Sequence, residues 1–353
     1  MSGTDPVRQD TSLTATDLAA VPQAVVERLR GARDVLTVCH ENPEADALGA
    51  ALAVALLLEQ LGGRATPVCA DPVPRMYRFM PHIERFRQAP EAGRAYDLLV
   101  VVDCGELERI GPVLTSHADL FERTPILDID HHKSNPGFGA LDWIDPAAAA
   151  TCEMVTLLVR VMGVPLAAVG GALAANLLAG VVIDTANFQH PNTTPRTLRV
   201  AAELLAAGAP LADTARLLYR SKPDPQLKLF GRVLARLESA AGGRIVWSSL
   251  SDDDLEAAGA EPAHSEGLID LLSQAETAEV AILFKAVGKE TRASVRTREG
   301  GVDATVLTGA FGGGGHARAA GATVSRPLAE AIPAVLAEAE RLVAALPLRG
   351  DTA

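Results

Sequence analysis

Four short apolar runs organise the first half of the chain. They are DVLTV at 34–38, DLLVVV at 97–102, PILDI at 125–129 and LLAGVVI at 177–183. Longer apolar patterns of helical length lie between them, at 47–62, 152–163 and 167–180. Buried strands that alternate with helices are typical of a parallel sheet with helices on both faces. The sequence therefore predicts an α/β fold with a parallel sheet in this half.

Acidic residues and histidines follow each of the four runs. They are His40, Glu44 and Asp46 after the first, Asp103 after the second, Asp130, His131 and His132 after the third, and Asp184 after the fourth. A single acidic residue after a strand is most often a helix cap or a turn residue. Because ligands bind outside the carboxyl ends of parallel strands, we expect these side chains to face one crevice. Four such positions with three histidines favour a metal site.

The residue types at these positions indicate which metals they would bind. Carboxylate oxygens with imidazole nitrogens suit Mn²⁺ or Mg²⁺, with Zn²⁺, Fe²⁺ or Co²⁺ as competitors. About six candidate ligands are too many for one tetrahedral ion, and they suit two octahedral ions that share a bridging carboxylate. Two ions about 3.5–4 Å apart are a common arrangement for phosphoryl chemistry. The pattern predicts a two-metal site and a substrate with phosphate groups.

The pattern changes after about residue 191 and indicates a second domain. Helical patterns predict a helical linker over 191–228, and a smaller α/β domain follows over 229–347. Its strand-like runs lie at 243–250, 279–287 and 291–297, with helices at 265–275 and 327–346. Residues 1–20 are predicted to be a disordered N-terminus, which leaves 21–190 as the domain with the metal site.

A glycine run in the second domain predicts an anion-binding or base-binding loop. The run comprises Gly312, Gly313, Gly314 and Gly315, and His316 and Arg318 follow it. Glycines leave backbone N–H groups open to close approach. Arg296 and Arg298 alternate on a predicted strand and would share one face, from which they could clamp a phosphate. Alone, each feature is usually a flexible turn or a solvated strand face, but together they favour phosphate binding.

Composition narrows the classes of protein further. The 32 basic and 44 acidic residues give a net charge of −12, which disfavours a broad basic surface for long nucleic acid but allows a short charged substrate. No apolar stretch is long enough for a transmembrane helix, and the N-terminus lacks the pattern of a secretory signal. Four scattered cysteines fit a reducing cytoplasm. The predicted domain with the metal site has more apolar helical surface than one sheet needs, which suggests a homodimer.

The motifs resemble those of a known family. HENPEADALG at 40–49, VVDC at 101–104, DHH at 130–132 and GVVIDTANF at 180–188 resemble the four motifs of the DHH phosphoesterases. The segment SVRTREGGVDATVLTGAFGGGGHARAAG at 294–321 resembles the companion DHHA1 domain. The resemblance covers about 25–345, and motif order and spacing are most similar to the nanoRNase and pAp phosphatase branch, where pAp is 3′-phosphoadenosine 5′-phosphate.

The resemblance implies a set of residue roles. The active site would lie in the cleft between a DHH domain and a DHHA1 domain, with two Mn²⁺ ions, or Mg²⁺ or Co²⁺ in their place. The ligands would be His40, Glu44 and Asp103 for one ion and Asp46, Asp103, His131 and Asp184 for the other. Hydroxide would be the nucleophile, His132 would lie against the scissile phosphate, and Asp130 would support the histidines. The rest of the nucleotide would be held by Arg296, Gly313, Gly314, Gly315 and His316.

The resemblance also implies substrates. The family hydrolyses very short oligoribonucleotides from the 5′ end to 5′-mononucleotides and pAp to AMP, and some members cleave linear dinucleotides. Three alternatives stay open: limited action on short single-stranded DNA, an inorganic pyrophosphatase, for which the GGGGH segment is not expected, and a nucleotide-binding sensor with weakened catalysis. One departure bears on them, because the family usually has Asp where this chain has Glu44, which puts metal preference and rate in question.

Overall fold

The computed structural model describes residues 12–298 and 300–346 of the 353-residue chain. The chain divides into two compact units between Ser221 and Lys222. All four cysteines are buried and unpaired, as expected for a chain without a disulfide framework. In the part of the chain that the structure describes, every helix is too short or too polar to cross a bilayer.

A five-stranded parallel sheet forms the centre of the N-terminal unit. Its strands are β1 (Asp34–Val38), β2 (Arg64–Val68), β3 (Leu98–Val102), β4 (Ile126–Asp130) and β5 (Leu141–Ile144), in the order β2-β1-β3-β4-β5. Val38 of β1 pairs with Val101 of β3, and Val102 pairs with Ile129 of β4. The carboxyl ends of these three strands are therefore level, and the predicted parallel sheet is confirmed.

Nine helices accompany this sheet among the described residues. They are α1 (Ala15–Leu18), α2 (Gln23–Gly31), α3 (Ala45–Gln60), α4 (Pro112–Ser116), α5 (Ala118–Arg123), α6 (Thr151–Val161), α7 (Ala172–Asp184), α8 (Pro195–Ala206) and α9 (Leu211–Tyr219). α3 is buried continuously from Ala45 to Leu58, in one apolar core with α6 and α7. A second core, which includes Leu99, Val101 and Val113, covers the opposite face of the sheet.

The fourth apolar run is not a strand, and this corrects the sequence prediction. Residues 177–183 belong to α7, and all but Ile183 of them are buried. A helix that is apolar on every side gives the same continuous apolar run as a buried strand, so periodicity cannot separate the two. Two strands were also missed, β2 and β5. Both are edge strands, and β2 contains Pro67, which edge strands tolerate.

The N-terminal segment is more ordered than predicted. Residues 1–11 lie outside the described residues, but 15–18 form α1. Thr14 caps this helix in a reciprocal pair with Asp17. Arg199 donates two hydrogen bonds of 2.8 Å to the Asp17 carboxylate. The prediction of disorder therefore does not hold for residues 14–18, because these polar contacts tie the segment to α8.

The predicted linker at 191–228 is mostly helical, but it does not form a separate element. α8 and α9 contribute Val200, Leu204 and Leu218 to the apolar core of the N-terminal unit. α10 (Asp224–Leu234) instead belongs to the C-terminal unit, whose core includes its Phe230. The amphipathic pattern predicted helices here correctly, but it carried no information about which core each helix would join.

The C-terminal unit is built on a six-stranded mixed sheet. Its strands are β6 (Glu238–Ala240), β7 (Ile245–Leu250), β8 (Val280–Val287), β9 (Glu290–Thr297), β10 (Gly314–His316) and β11 (Ala319–Val324), in the order β10-β11-β9-β8-β7-β6. The other helices are α11 (Asp252–Ala258), α12 (Leu268–Leu272), α13 (Ala304–Gly309) and α14 (Leu328–Ala344). The three predicted strands are β7, β8 and β9, whereas β10 was not predicted, because it begins inside the glycine run and ends at His316.

Candidate metal centre

The candidate ligands come from one edge of the N-terminal sheet and from two helix ends. His40 and Glu44 lie on the loop between β1 and α3, and Asp46 is the second residue of α3. Asp103 directly follows β3, and His131 directly follows β4. Asp184 was expected at the end of a strand, but it is the last residue of α7. A helix terminus therefore supplies the fourth position.

The structure brings these side chains together in three groups that could hold metal. The groups are His40 with Glu44 and Asp103; Asp46 with His131 and Asp184; and Asp103 with His131 and His132. Within each group, one ligand atom from each residue lies within 4.8 Å of the others. Asp103 belongs to two groups that otherwise share no residue, which is the position a bridging carboxylate would occupy.

The histidine tautomers fit metal binding. His40 and His131 each donate the Nδ1 hydrogen to a backbone carbonyl, at 2.7 and 3.3 Å. In the neutral ring, each Nε2 atom would then offer a lone pair to an ion. The Nε2 atom of His131 faces Asp184 Oδ2 at 3.2 Å, and that of His40 faces Asp103 Oδ2 at 3.7 Å. Without an ion, a proton on each Nε2 atom bridges to these carboxylates, and a divalent ion would take the place of that proton, so the donor set fits divalent ions.

The carboxylates of the cluster are unfavourable without cations. Burial raises the pKa of Asp46 well above its usual value, and the carboxylates of Asp184 and Asp103 add to this rise. Burial also raises the pKa of Asp184 to about 7. Burial, with Asp103 and Asp46 nearby, raises the pKa of Glu44. Bound cations would remove this penalty because they stabilise the ionised forms.

Asp103 occupies the centre of the cluster and has an unusual backbone. Burial opposes its ionisation, but hydrogen bonds from His131 and His40 hold the pKa of its carboxyl well below the usual range. Its φ angle is +56°, in the left-handed region that Asp and Asn tolerate better than most residues. Strained backbone at a strand end is common where a side chain must be aimed at a functional centre.

The N-terminus of α6 holds two of the carboxylates. The first two residues of this helix, Thr151 and Cys152, donate their backbone N–H groups to Asp46 at 2.7 and 2.8 Å. The hydroxyl of Thr151 donates to Asp103 Oδ1 at 3.1 Å. Helix N-termini favour negative charge because their N–H groups are unpaired and the helix dipole is positive there. α6 therefore fixes Asp46 and Asp103 relative to each other.

His132 has a different environment from the other two histidines. Its Nδ1 atom donates to Asp130 Oδ1 at 2.7 Å, and this bond raises the pKa of His132 although burial opposes the rise. Its side chain is 36% exposed, which leaves it accessible to a substrate. Asp130 is fully buried, and its other oxygen accepts a 2.8 Å hydrogen bond from Asn135. Asn135 was not predicted, because Ser-Asn-Pro-Gly reads as an ordinary turn.

The predicted substrate residues lie in the C-terminal unit, where one row of the sheet brings two of them to one face. His316 of β10 pairs with Ala319 of β11, which pairs with Arg296 of β9. Directly paired residues point to the same face, so His316 and Arg296 share it. Arg296 also donates to Asp270 at 2.9 Å. Arg298 lies one residue beyond β9 and donates to the Ala275 carbonyl, so the prediction that it alternates on this strand is wrong.

Two glycines of the run are required by close packing against a neighbouring strand, and another has an open backbone. A Cβ on Gly313 would lie 2.6 Å from Ala322 Cβ, and one on Gly315 would lie 2.6 Å from Ala319 O. These two glycines therefore allow β11 to approach closely. A Cβ on Gly314 would meet nothing within 4 Å, so its backbone is open. A cavity of about 410 Å³ adjoins the run, lined by Arg292, Gly312, Gly313, Gly314, Gly321, Ala322 and Thr323.

Changing Glu44 to Asp tests whether this carboxylate is a ligand. The Glu44 carboxylate makes no hydrogen bond or ion pair with another described residue, and it lies with His40 and Asp103 in one candidate ligand group. Shortening the side chain by one methylene should weaken Mn²⁺ binding about tenfold, or about 1.4 kcal/mol. The measurement is the Mn²⁺ concentration that gives half-maximal activity. Glu41→Asp is the matched control on the same loop, and equal behaviour of the two variants would contradict the assignment.

Comparisons with known proteins agree with this geometry. The chain matches the DHH family, N-terminal domain, over residues 34–183 and the DHHA1 domain over residues 242–345. It is 38% identical over 286 residues to the bifunctional oligoribonuclease and PAP phosphatase NrnA of Thermus thermophilus, covering 81% of this chain and 82% of that one. The protein of the same name from Bacillus subtilis is 29% identical over 236 residues, covering 64% and 70%.

A solved structure shows the same fold. The crystal structure of an exopolyphosphatase-related protein from Bacteroides fragilis superposes with a TM-score of 0.81, covers 94% of this chain and 100% of that one, and is 20% identical. At this identity the likeness concerns the fold alone. Together, the two matched domains, the extent of the similarity to the Thermus protein and the cluster of histidines and carboxylates show that the chain belongs to the DHH–DHHA1 family of metal-dependent phosphoesterases.

Proposed function

We propose that the chain hydrolyses short oligoribonucleotides, including linear dinucleotides, to 5′-mononucleotides, and pAp to AMP, with two divalent ions. The observation that carries the proposal is the position of Asp103, shared between two ligand groups that otherwise have no residue in common. The names of the Thermus and Bacillus relatives supply the substrate class. The oxygen-rich ligand set favours Mn²⁺, with Mg²⁺ or Co²⁺ as alternatives.

Both activities break the same bond. A 5′-phosphorylated dinucleotide gives two 5′-mononucleotides only if the bond between phosphorus and the 3′ oxygen of the first nucleoside breaks. Conversion of pAp to AMP breaks the equivalent bond, because pAp is the same substrate without its second nucleoside. One site can therefore perform both reactions, provided that it recognises the nucleoside 5′-phosphate that precedes the scissile phosphate.

The residues of the N-terminal unit would have two roles, metal binding and contact with the scissile phosphate. We assign His40, Glu44 and Asp103 to one ion and Asp46, His131 and Asp184 to the other. We add Asp103 to the second set because its Oδ1 atom lies 3.5 Å from His131 Nε2. When bound, the ions supply positive charge for the phosphoryl group and increase the acidity of water. His132, held at Nδ1 by Asp130, would present Nε2 to the scissile phosphate and to the departing 3′ oxygen. A hydrogen bond there would stabilise the charge that develops on this oxygen.

The C-terminal unit would hold the rest of the nucleotide. Arg296 and His316 share one face of the sheet, and the open backbone at Gly314 lies two residues before His316. Arginine suits the two oxygens of a phosphate because its guanidinium donates two parallel hydrogen bonds. The proposed substrate contacts are Arg296, Gly313, Gly314, Gly315 and His316, with Gly313 and Gly315 acting by letting the strands approach.

Arg296→Ala separates recognition from chemistry. If Arg296 binds a substrate phosphate, the KM for pAp should rise at least about tenfold, because a charge-assisted hydrogen bond is worth about 1.5–3 kcal/mol. The turnover number and Mn²⁺ affinity should stay within about threefold. Asp270→Ala is the matched control, because it removes the ion-pair partner of Arg296 and leaves the arginine. A similar rise in KM for Asp270→Ala would show that the ion pair matters rather than the phosphate contact.

A product assay tests the proposed function directly. Metal-stripped protein would receive RNA dimers to pentamers with and without a 5′-phosphate, and separately pAp, with Mn²⁺ or Mg²⁺ added back. Release of 5′-mononucleotides and AMP, dependent on metal and on the 5′-phosphate, is the expected result. Cleavage of pyrophosphate or of short DNA alone would overturn the substrate but keep the metal centre. Tight nucleotide binding without turnover would favour a sensor.

Two further properties belong to this proposal. We propose a cytoplasmic location, and the scattered, unpaired cysteines support it because they suit a reducing compartment. We also propose a homodimer, and the exposed Leu198 and Leu205 of α8, at 53% and 42%, support it. Light scattering of the purified protein would test the dimer, and a monomer at micromolar concentration would contradict it.

A further inference from the structure

Asn135 makes more contacts than its turn requires. Its backbone N–H donates to the His132 carbonyl at 3.1 Å, and its Oδ1 atom accepts from the Gly137 N–H at 2.8 Å. These two bonds are enough to form the turn. Its Nδ2 atom additionally donates to Asp128 Oδ2 and Asp130 Oδ2, both at 2.8 Å, so the side-chain amide bridges two carboxylates.

The two carboxylates that Asn135 bridges are fully buried. Asp128 and Asp130 both have 0% exposure, and Asp128 Oδ1 has no hydrogen-bond partner among the described residues. Two buried carboxylates on one strand repel each other unless a donor lies between them. The Asn135 amide is this donor. It orients one oxygen of Asp130, which leaves the other oxygen, Oδ1, for the Nδ1 atom of His132.

We propose that Asn135 is a positioning residue for the reaction, because it fixes the Asp130 carboxylate and thereby the ring of His132. The inference rests on the proposed function of His132. Without the amide, the Asp130 carboxylate is free to rotate about its Cβ–Cγ bond, and the ring loses its fixed acceptor. His132 would then sample several orientations, and few of them would place Nε2 at the scissile phosphate. The ion ligands keep their own contacts, so binding of metal and substrate is retained.

Asn135→Ser is the sharpest variant. Serine can still accept the Gly137 N–H with its hydroxyl and so preserve the turn, but it lacks the amide that bridges the carboxylates. The turnover number should fall about 10–100-fold, as is typical when a group that orients a site residue is removed. The KM and the Mn²⁺ affinity should stay within about threefold. An unchanged turnover number would overturn the proposal, as would a loss that appears only in KM or in Mn²⁺ affinity.

A double-mutant cycle shows whether Asn135 acts through Asp130. Asp130→Ala alone should lower turnover at least as much as Asn135→Ser. The double variant should be no worse than Asp130→Ala within about threefold, because the effects of one chain of contacts do not add. If the losses of turnover in the two single variants add in the double variant, Asn135 does not act through Asp130 and the proposal is overturned. The same double-mutant cycle can be measured with the general phosphodiester bis(p-nitrophenyl) phosphate, so the test does not require RNA or pAp to be the substrate.

An NMR measurement separates this inference from the proposed function. In Mg²⁺-loaded protein with ¹⁵N-labelled histidine, the Nδ1 hydrogen of His132 should give a low-field signal because it is bonded to a carboxylate. This signal should disappear or shift in Asn135→Ser whether or not the protein turns over any substrate. Asn176→Ala is the control, since it removes another buried asparagine amide, bonded to the Pro81 carbonyl. It should lower the unfolding temperature but leave the signal and the turnover number unchanged. A signal that is the same in Asn135→Ser and in the wild type would overturn the proposal.

Discussion

Asp103→Asn is expected to abolish turnover, by about 10⁴-fold or more, at every Mn²⁺ concentration. Asp103 faces a proposed ligand of each ion, His40 through Oδ2 at 3.7 Å and His131 through Oδ1 at 3.5 Å, so an amide in place of the carboxylate should disturb both ions. Asparagine is the suitable replacement because it has the shape of aspartate and tolerates the φ angle of +56° at this position. Alanine would add backbone strain to the loss of the ligand. The expected loss therefore reports on metal chemistry and not on unfolding.

Counting bound ions checks the first prediction. Calorimetric titration of metal-free protein with Mn²⁺ should give two ions for the wild type and weak or no binding for Asp103→Asn. Asp184→Asn is the matched control, because Asp184 belongs to one group only, and it should retain one ion. Tight binding of two ions by Asp103→Asn would show that Asp103 is not a bridge.

Gly180→Ala should damage the metal centre from inside a helix. An added Cβ would lie 2.5 Å from Asp46 Oδ1 and would also overlap the Cys152 side chain. The helices α3, α6 and α7 are closely packed here, so the methyl group has no free space. We expect a loss of about 1–3 kcal/mol in the free energy of unfolding. We also expect about 100-fold lower turnover and weaker Mn²⁺ binding, because displacement of Asp46 removes a ligand.

Gly49→Ala is the matched control for this prediction. It adds a methyl group between the same helices α3 and α7, where its Cβ would lie 2.5 Å from the Asn176 carbonyl oxygen. It should destabilise the protein to a similar extent without contact to Asp46. Thermal unfolding and Mn²⁺ titration of both variants provide the comparison. Equal loss of Mn²⁺ affinity would show that general loosening of the helices, and not the position of Asp46, controls the metal centre.

The sequence predicted an element correctly where its pattern of residues is compatible with only one kind of secondary structure. Strands β1, β3 and β4 are short, apolar and buried, and polar residues follow closely after each of them. Their ends could therefore be predicted, and with them the proximity of Asp103 to His131. The run at 177–183 could not be assigned, because a buried helix and a buried strand both lack a polar side. Asp184 nevertheless reaches the cluster, because a helix terminus can aim a carboxylate as well as a strand end can.

Residues that act through other residues were not predictable. Asn135 lies in a common turn sequence, and only the fold places its amide between Asp128 and Asp130. Gly180 looks like one small residue in an apolar helix, yet it leaves the space that Asp46 needs. The contact between Asp17 and Arg199 joins positions 182 residues apart, which no local pattern reveals. These features depend on tertiary contacts, whereas the candidate ligands were proposed from the chemistry of their own side chains.

All candidate metal ligands lie between His40 and Asp184, within the N-terminal unit, and the predicted nucleotide contacts lie in the C-terminal unit. The residues proposed to cleave the phosphoester thus lie in one unit, and those proposed to hold the nucleotide lie in the other. Exchange of the C-terminal module by recombination, or drift within it, could redirect the enzyme from one phosphorylated compound to another without rebuilding the metal centre. Such an arrangement would allow related proteins to acquire new substrates while the metal centre stays unchanged.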